Sequence, residues 1–372
     1  DASRSVPVVS QLLSASDRKR FAMEIKEEYK QVREQFEGKE RSKEYLPLAE
    51  VRRQRSTIDW KTEPPIAPKR TGLFPFRDFP IAELVPYIDW PPFFLAWELA
   101  GRCPKTLEDL VVGVEAKKLH ADALAMLDRI VKMKWLRAHG VAAIWRAQAV
   151  DDDIAVYTSD DGSDRIGIFQ TLRQQHKKAA GIPYLALADF IAPEGMGGDH
   201  LGGFAVTAGE GIEEHVRRFE QEHDDYSAIM LKALADRLAE AFAEKLHEIV
   251  RRDLWGYEAA PLTKEQLISE EYQGIRPAPG YPACPDHTQK PELFRLLNAT
   301  EITGITLTES LSMYPAAAVC GWYFAHPRSK YFGVGRVARD QIADLARRKG
   351  SELSTMERWL SSQLAYSDNT GA

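Results

Sequence analysis

The sequence predicts a mixed α+β fold, and three observations carry that reading. Residues 223–257, "HDDYSAIMLKALADRLAEAFAEKLHEIVRRDLWGY", place Leu234, Leu238, Phe242, Leu246 and Ile249 on one helical face, the strongest helix pattern in the chain. "VAAIWRAQAVDDDIAVYT", residues 141–158, sets two β-prone runs either side of an acidic turn, the pattern of a hairpin. "GITLTES", "AAVCGWYF" and "KYFGVGRV" then read as three short runs of an antiparallel meander. Strands and helices neither alternate strictly nor segregate fully, and no repeat of about twenty to fifty residues occurs.

The other elements follow in order. Residues 16–37 space Phe21, Ile25, Tyr29, Val32 and Phe36 three or four apart, an amphipathic helix that needs a surface to lie on. From 38 to 70 the chain turns charged and proline-rich, so residues 1–70 read as a linker wrapping the next unit, 71–372. "PPFFLAWELAG" opens a helix with prolines in its first turn and closes it at Gly101. "DLVVGVEAKKLHADALAMLDRIVKMK" is a long helix with Leu119, Ala123, Met126, Leu127 and Ile130 inward. "DRIGIFQTL" and "HLGGFAVTAG" add strands, and two helices close the chain from about 338 and 354.

Composition excludes several classes. The chain has 372 residues, 44% of them apolar, enough to fill a real core. A net charge of -6 offers no broad basic footprint for nucleic acid. No run of about eighteen apolar residues exists to span a membrane, and "DASRSVPVVSQLL" lacks the pattern of a signal peptide. Cys103, Cys284 and Cys320 are odd in number and far apart, which excludes a disulfide framework and fits a reducing cytoplasm. The absence of an initial methionine points to a piece of something longer.

"GIRPAPGYPACPDHT", residues 274–288, carries four prolines and two glycines and so forbids both a helix and a central strand. Arg276 is the only charge in its first half. A guanidinium on a pre-ordered loop suits bidentate capture of a carboxylate or phosphate, and a surface arginine on a rigid structural loop is the plainer alternative. Adjacent Glu270 and Glu271 could partner an ammonium or ribose, or stand solvated. Cys284 and His287 have C-x-x-H spacing, but no second ligand pair exists to complete a zinc site, so no metal is expected. "FGVGRV" has only part of a dinucleotide fingerprint, and neither a phosphate loop nor a serine elbow occurs.

Asp236, Glu240, Glu244 and Glu248 recur every four residues on the long helix. Like charges at that spacing repel by roughly 0.2 to 0.5 kcal/mol per pair, so they form either a solvated face eased by Lys232, Lys245 and Arg252 or a stripe compensated by something else. Asp89, in "YIDWPP", precedes a helix and suits a cap, or a ligand amine. The aromatics of "WYFAHPRSKYF" are core by default, although an exposed Tyr331 could line an adenine or sugar pocket.

"GIRPAPGYPACPDHT", "HDDYSAIMLKALADRLAEAFAE", "YIDWPPFF" and "GWYFAHPRSKYF" together resemble, in order, the C-terminal activation domain of cobalamin-dependent methionine synthase. The likeness runs from about residue 75, and the N-terminal helix resembles the linker that follows the cobalamin module. It implies a helmet- or C-shaped single domain with a central twisted antiparallel sheet and long flanking helices, binding S-adenosylmethionine near the R-P-A-P-G-Y loop. Residue by residue, it implies that Arg276 holds the methionine carboxylate, the backbone at Ala278 touches the ligand, Asp89 takes the amino group, and Tyr331 with Phe332 borders the nucleoside. Glu270 is a further carry-over. The family often has Tyr-Tyr where this chain has Tyr331-Phe332. Tyr281 and His287 would face the corrin, and Asp236 and Glu240 the cobalamin module.

The implied task is reactivation: holding the sulfonium methyl over cobalt during reductive methylation, with electrons from flavodoxin or a diflavin reductase. No residue of the chain is expected to act as a catalytic acid, base or nucleophile. The chain lacks D-x-H-x-x-G for cobalamin and a cysteine cluster for zinc, so it is not expected to run the full synthase reaction. Two other readings stand beside it. One is a stand-alone S-adenosylmethionine methyltransferase for a small molecule, which lacks its glycine-rich loop. The other is a docking module for flavodoxin without a ligand, using the basic Arg347 to Lys349.

Overall fold

A computed structural model describes residues 12, 18–41, 44–97, 113–158, 162–196 and 198–366. The chain divides into two compact units, residues 1–46 with 176–181, and residues 47–175 with 182–372.

In the first unit the expected amphipathic helix is α1, Arg18–Arg41. Phe21 and Ile25 are half-buried, whereas Tyr29 is 60% exposed. Tyr45 bridges His176, and Lys177 pairs with Glu44 at 2.7 Å.

The second unit is built on an antiparallel sheet. Its elements are α2 (Leu48–Arg53), β1 (Gly72–Phe76), α3 (Ile81–Leu84), α4 (Trp90–Ala96), α5 (Gly113–Met133), β2 (Arg137–Val150), β3 (Asp153–Tyr157), β4 (Arg165–Gln170), β5 (Asp199–Glu210), α6 (Ile212–Gln221), α7 (Asp225–Ile249), α8 (Lys264–Ile268), α9 (Lys290–Leu297), α10 (Ala299–Thr303), β6 (Thr306–Leu307), β7 (Met313–Tyr314), β8 (Ala318–Tyr323), α11 (Arg339–Lys349) and α12 (Leu353–Trp359). The strand order is β4-β3-β2-β5-β8. The long β2 pairs β5 along one edge and shares the other between β1 and β3, every pair antiparallel. The expected hairpin is β2–β3, turning at Asp151, which adopts a positive φ of 55°.

Helices cover both faces of this sheet. On one, α7 lays down Leu234, Leu238, Phe242 and Leu246, all fully buried, with Ala142, Phe204 and Tyr323 of the sheet. On the other, α9 and α10 pack Leu293, Leu297 and Ile302 against Val141, Trp145 and Trp322. Alternate residues of β2, β5 and β8 therefore point into two cores, which is why these strands read as nearly continuous apolar runs. Asp224 caps α7 by accepting from the Ser227 N–H at 3.0 Å, and α7 runs into a π turn at Val250–Leu254.

The meander expected at 304–337 is not formed. β8 joins the main sheet beside β5, β6 pairs only β7, and "KYFGVGRV" contains no strand. Val334 N–H instead donates to the Pro282 carbonyl at 2.8 Å, so the run is drawn onto the proline-rich loop. β1 was hidden by Pro75, which an edge strand tolerates because its missing N–H leaves the ladder on that side intact. The end expected for α4 at Gly101, and Cys103, lie outside the described residues.

Candidate ligand site

The stiff segment 274–288 holds Arg276 against α7. Ile275 and Phe324 exchange both backbone hydrogen bonds at 3.0 Å, and Trp322 N–H donates to the Pro277 carbonyl at 2.9 Å, so residues 275–277 run beside β8 as a short irregular edge. Pro277 and Pro279 have no N–H with which to extend the pairing. The approach needs glycine twice. A Cβ on Gly321 would lie 2.5 Å from the Pro277 oxygen, and one on Gly274, at φ +85°, 2.2 Å from the Phe324 oxygen. Beyond, Gly280 N–H donates to the Cys284 carbonyl at 2.7 Å and closes the turn that lifts Tyr281 to 61% exposure. His287 packs beneath it, with a ring atom 2.1 Å from where a Gly280 Cβ would sit. Burial and nearby Lys290 lower the His287 pKa.

From this loop the Arg276 side chain, 16% exposed, donates Nη2–H to Glu244 Oε2 at 2.9 Å. Its backbone N–H donates to the Tyr331 hydroxyl at 2.9 Å, and that hydroxyl lies 3.3 Å from the Tyr272 hydroxyl. Burial alone would lower the arginine pKa, but the Glu244 carboxylate with Tyr272 and Tyr331 reverses the effect and raises it.

Two adjoining cavities open around Arg276. One, of about 370 Å³, is lined by Tyr87, Asp89, Arg237, Glu240, Glu244, Lys264, Glu270, Tyr272 and Arg276. The other, of about 480 Å³, is lined by Phe204, Pro277, Ala278, Tyr281, Pro282, Val319, Tyr331 and Phe332, and shares Glu240, Glu270 and Arg276 with the first. The first sets the carboxylates of Asp89, Glu240, Glu244 and Glu270 beside the cations Arg237, Lys264 and Arg276, with Leu262, Leu267 and Ile268 as apolar wall, and the second is largely apolar and aromatic. Together they have the size and mixed lining of a small-molecule site.

Asp89 sits at the N-cap of α4 but makes no capping bond. The amides that a cap would receive belong to Pro91 and Pro92, which have no N–H, so the carboxylate is released toward the cavity. Its Oδ1 is buried without a hydrogen-bond partner among the described residues. Burial raises its pKa, opposed by Arg237 and Lys264. Burial likewise raises the pKa of Glu240, opposed by Arg276 and Arg237, and of Glu270, opposed by Arg276. The cavity thus concentrates incompletely neutralised carboxylates, an environment that favours a cationic ligand.

Three of the four acids in the α7 stripe are compensated by a cation. Asp236, 54% exposed, meets Arg237; Glu244 meets Arg276; Glu248 accepts from Tyr87, Lys245 and Arg252. Lys232 pairs with Glu220 instead. Glu240 forms no ion pair among the described residues and turns to the cavities. Of the expected site, Asp89, Glu270, Arg276, Ala278, Tyr331, Phe332, Glu240 and Tyr281 converge on the two cavities, while Asp236 lies one turn away on α7 and His287 below the loop. Residue-level reading missed Arg237, Tyr272 and the part played by Glu244, although its spacing one turn from Glu240 was a usable signal. Among the described residues no three His, Cys, Asp or Glu side chains come together to hold a metal ion, and no helix is long and apolar enough to cross a membrane. Burial pushes the Cys284 thiol up, with Asp286 adding to the effect.

An antiparallel sheet covered by helices on both faces, with a proline-stiffened loop aiming one arginine over a cavity of mixed charge, defines a ligand-positioning domain. The family described as vitamin B12 dependent methionine synthase, activation domain, matches residues 80–350, and the chain belongs to that family. A crystal structure of the MetH reactivation domain bound to AdoHcy is 48% identical in sequence, covers 87% of this chain and 99% of that one, and has a TM-score of 0.85. The chain is accordingly a domain of methionine synthase, a methyltransferase.

Proposed function

We propose that this chain binds S-adenosylmethionine in the joined cavities and presents its methyl group to cobalamin carried by a separate module, reactivating methionine synthase by reductive methylation. The observation that carries this reading is that Arg276 and Asp89, whose Oδ1 has no hydrogen-bond partner among the described residues, face one cavity. A guanidinium and a carboxylate complement the two charged groups of a single α-amino acid. Phe204, Tyr331 and Phe332 offer flat apolar surface to the nucleoside, beside the backbone at Ala278. AdoHcy, held by the 48% identical relative, is S-adenosylmethionine after loss of its methyl group.

Cobalamin supplies the nucleophile that takes the methyl group. The share of this chain is to bind and orient the donor, making the transfer effectively intramolecular. No proton moves when a sulfonium gives up its methyl, so Asp89, Glu240 and Glu270 act as fixed charges toward the cationic donor. Asp236, Glu240, Tyr281 and His287 face the cobalamin module, and residues 1–70 form the linker to it, with 71–372 the ligand-binding domain. Electrons come from flavodoxin or a diflavin reductase. Arg347, 72% exposed although paired with Asp344 at 2.6 Å, is the accessible cation of the late basic run, because Arg348 and Lys349 are nearly buried against Asp153, Asp344 and Asp286.

Calorimetric titration with S-adenosylmethionine tests the reading. Saturable binding is expected, weakened by about 2 to 5 kcal/mol in Arg276→Ala because a ligand carboxylate is left unpaired. Equal affinity of the variant and the parent chain would remove Arg276 from the site.

A further inference from the structure

Behind Arg276 lies a buried charge network that the carboxylate-capture role does not explain. Glu244 gives Oε2 to Arg276 at 2.9 Å, while its Oε1 is buried, makes no hydrogen bond among the described residues, and lies 3.7 Å from Arg251 Nη1. Arg251 is wholly buried on the π turn at Val250–Leu254, the kind of local helix widening that recurs at functional sites. Its Nε donates to Glu258 at 2.8 Å and its guanidinium sits 4.8 Å from the Tyr272 ring centroid. Charges therefore alternate from the cavity inward: Arg276, Glu244, Arg251, Glu258.

We propose that Glu244, held from behind by Arg251, is the positioning residue that aims Arg276 at the ligand carboxylate. This deepens the S-adenosylmethionine reading and rests on it. Arginine carries five N–H donors, and Glu244 takes the only side-chain hydrogen bond that the Arg276 guanidinium makes among the described residues. A bidentate edge thus remains for a ligand. Burying a guanidinium without a counter-charge is costly, so Glu244 both neutralises Arg276 and fixes its rotamer before the ligand arrives. Glu244 touches no ligand atom in this scheme and acts through Arg276.

The test is a comparison of two ligands by calorimetry on the whole chain: S-adenosylmethionine, and its decarboxylated form, which keeps the sulfonium and the ammonium but lacks the carboxylate. Glu244→Gln is expected to weaken S-adenosylmethionine roughly tenfold, the scale of a misaligned charge-assisted hydrogen bond, and to change the decarboxylated ligand by less than about twofold. Glu244→Asp keeps the charge but withdraws it by one methylene. It should show a smaller loss with the same selectivity, and it gives the answer if Glu244→Gln does not fold. Equal loss for both ligands would mean that Glu244 merely supports the fold. No loss, or tighter S-adenosylmethionine binding, would mean that it idles or competes for Arg276. Each of these overturns the proposal. Failure of the parent chain to bind either ligand would instead overturn the underlying site.

Discussion

The backbone N–H of Arg276 donates to the side-chain hydroxyl of Tyr331 at 2.9 Å, tying the proline-rich loop to a segment fifty-five residues further along the chain. The same hydroxyl stands 3.3 Å from that of Tyr272. Tyr331 thus both lines the aromatic cavity and fixes the loop that carries the arginine. Tyr331→Phe keeps the ring and removes the tie. The expected cost is about 0.5 to 1.5 kcal/mol of stability, with S-adenosylmethionine bound a few-fold more weakly. Denaturant melts and calorimetry check it, and a variant equal to the parent in both would show the tie to be idle.

Asp89 supplies a pH signature. Burial lifts its pKa above the ordinary carboxylate value, with Arg237 and Lys264 opposing, and an ammonium prefers the ionised form. Affinity for S-adenosylmethionine should therefore rise with pH through the acidic range and level off once the carboxylates are ionised. Asp89→Asn should weaken binding by about 1 to 3 kcal/mol and flatten that rise. Some slope should persist, because Glu240 and Glu270 are raised by burial as well. Titrations of parent and variant across pH give the measurement, and an unchanged slope would remove Asp89 from the site.

How far the site could be read in advance differs by residue for physical reasons. Loop 274–288 announced itself because four prolines leave few backbone options, and the apolar period of α7 survived because one face is packed on the sheet. The release of Asp89 was also legible: two prolines directly after Trp90 remove the amides that a cap requires. The path of 330–337 was not legible, since its alternation suits a strand and only tertiary bonds, such as Val334 to Pro282, decide otherwise. Nor was the Glu244–Arg276 pair, thirty-two residues apart, because sequence spacing orders a helix face but does not say which loop will lie over it.

Asp236 and Glu240 share a stripe but not an environment, which separates docking from ligand binding. Asp236 is half-exposed beside Arg237, whereas Glu240 lines both cavities. Asp236→Asn should leave S-adenosylmethionine affinity unchanged and weaken docking to a separately prepared cobalamin-binding module by about 0.5 to 1 kcal/mol. Glu240→Gln should alter both. Equal affinity of Asp236→Asn and the parent for that module would remove Asp236 from the docking face.

Asp199, at the start of β5, gives a test of the scaffold apart from the site. It is 5% exposed, and burial pushes its pKa up to about 6 despite backbone N–H donors from Ala192 at 2.9 Å and His200 at 2.7 Å and the charge of Arg146. The folded state therefore binds its proton more tightly than the unfolded chain, whose value is 3.8. Between these values the native form holds more protons, so this group makes stability fall as pH rises from about 4 to about 6. The full gap corresponds to roughly 3 kcal/mol. Asp199→Asn cannot ionise and should lose that component, which chemical melts at closely spaced pH values would detect as a flatter dependence in this window. An identical slope in the variant would mean that the Asp199 carboxylate titrates alike in the folded and unfolded chain, and that its two backbone donors already offset the cost of burial.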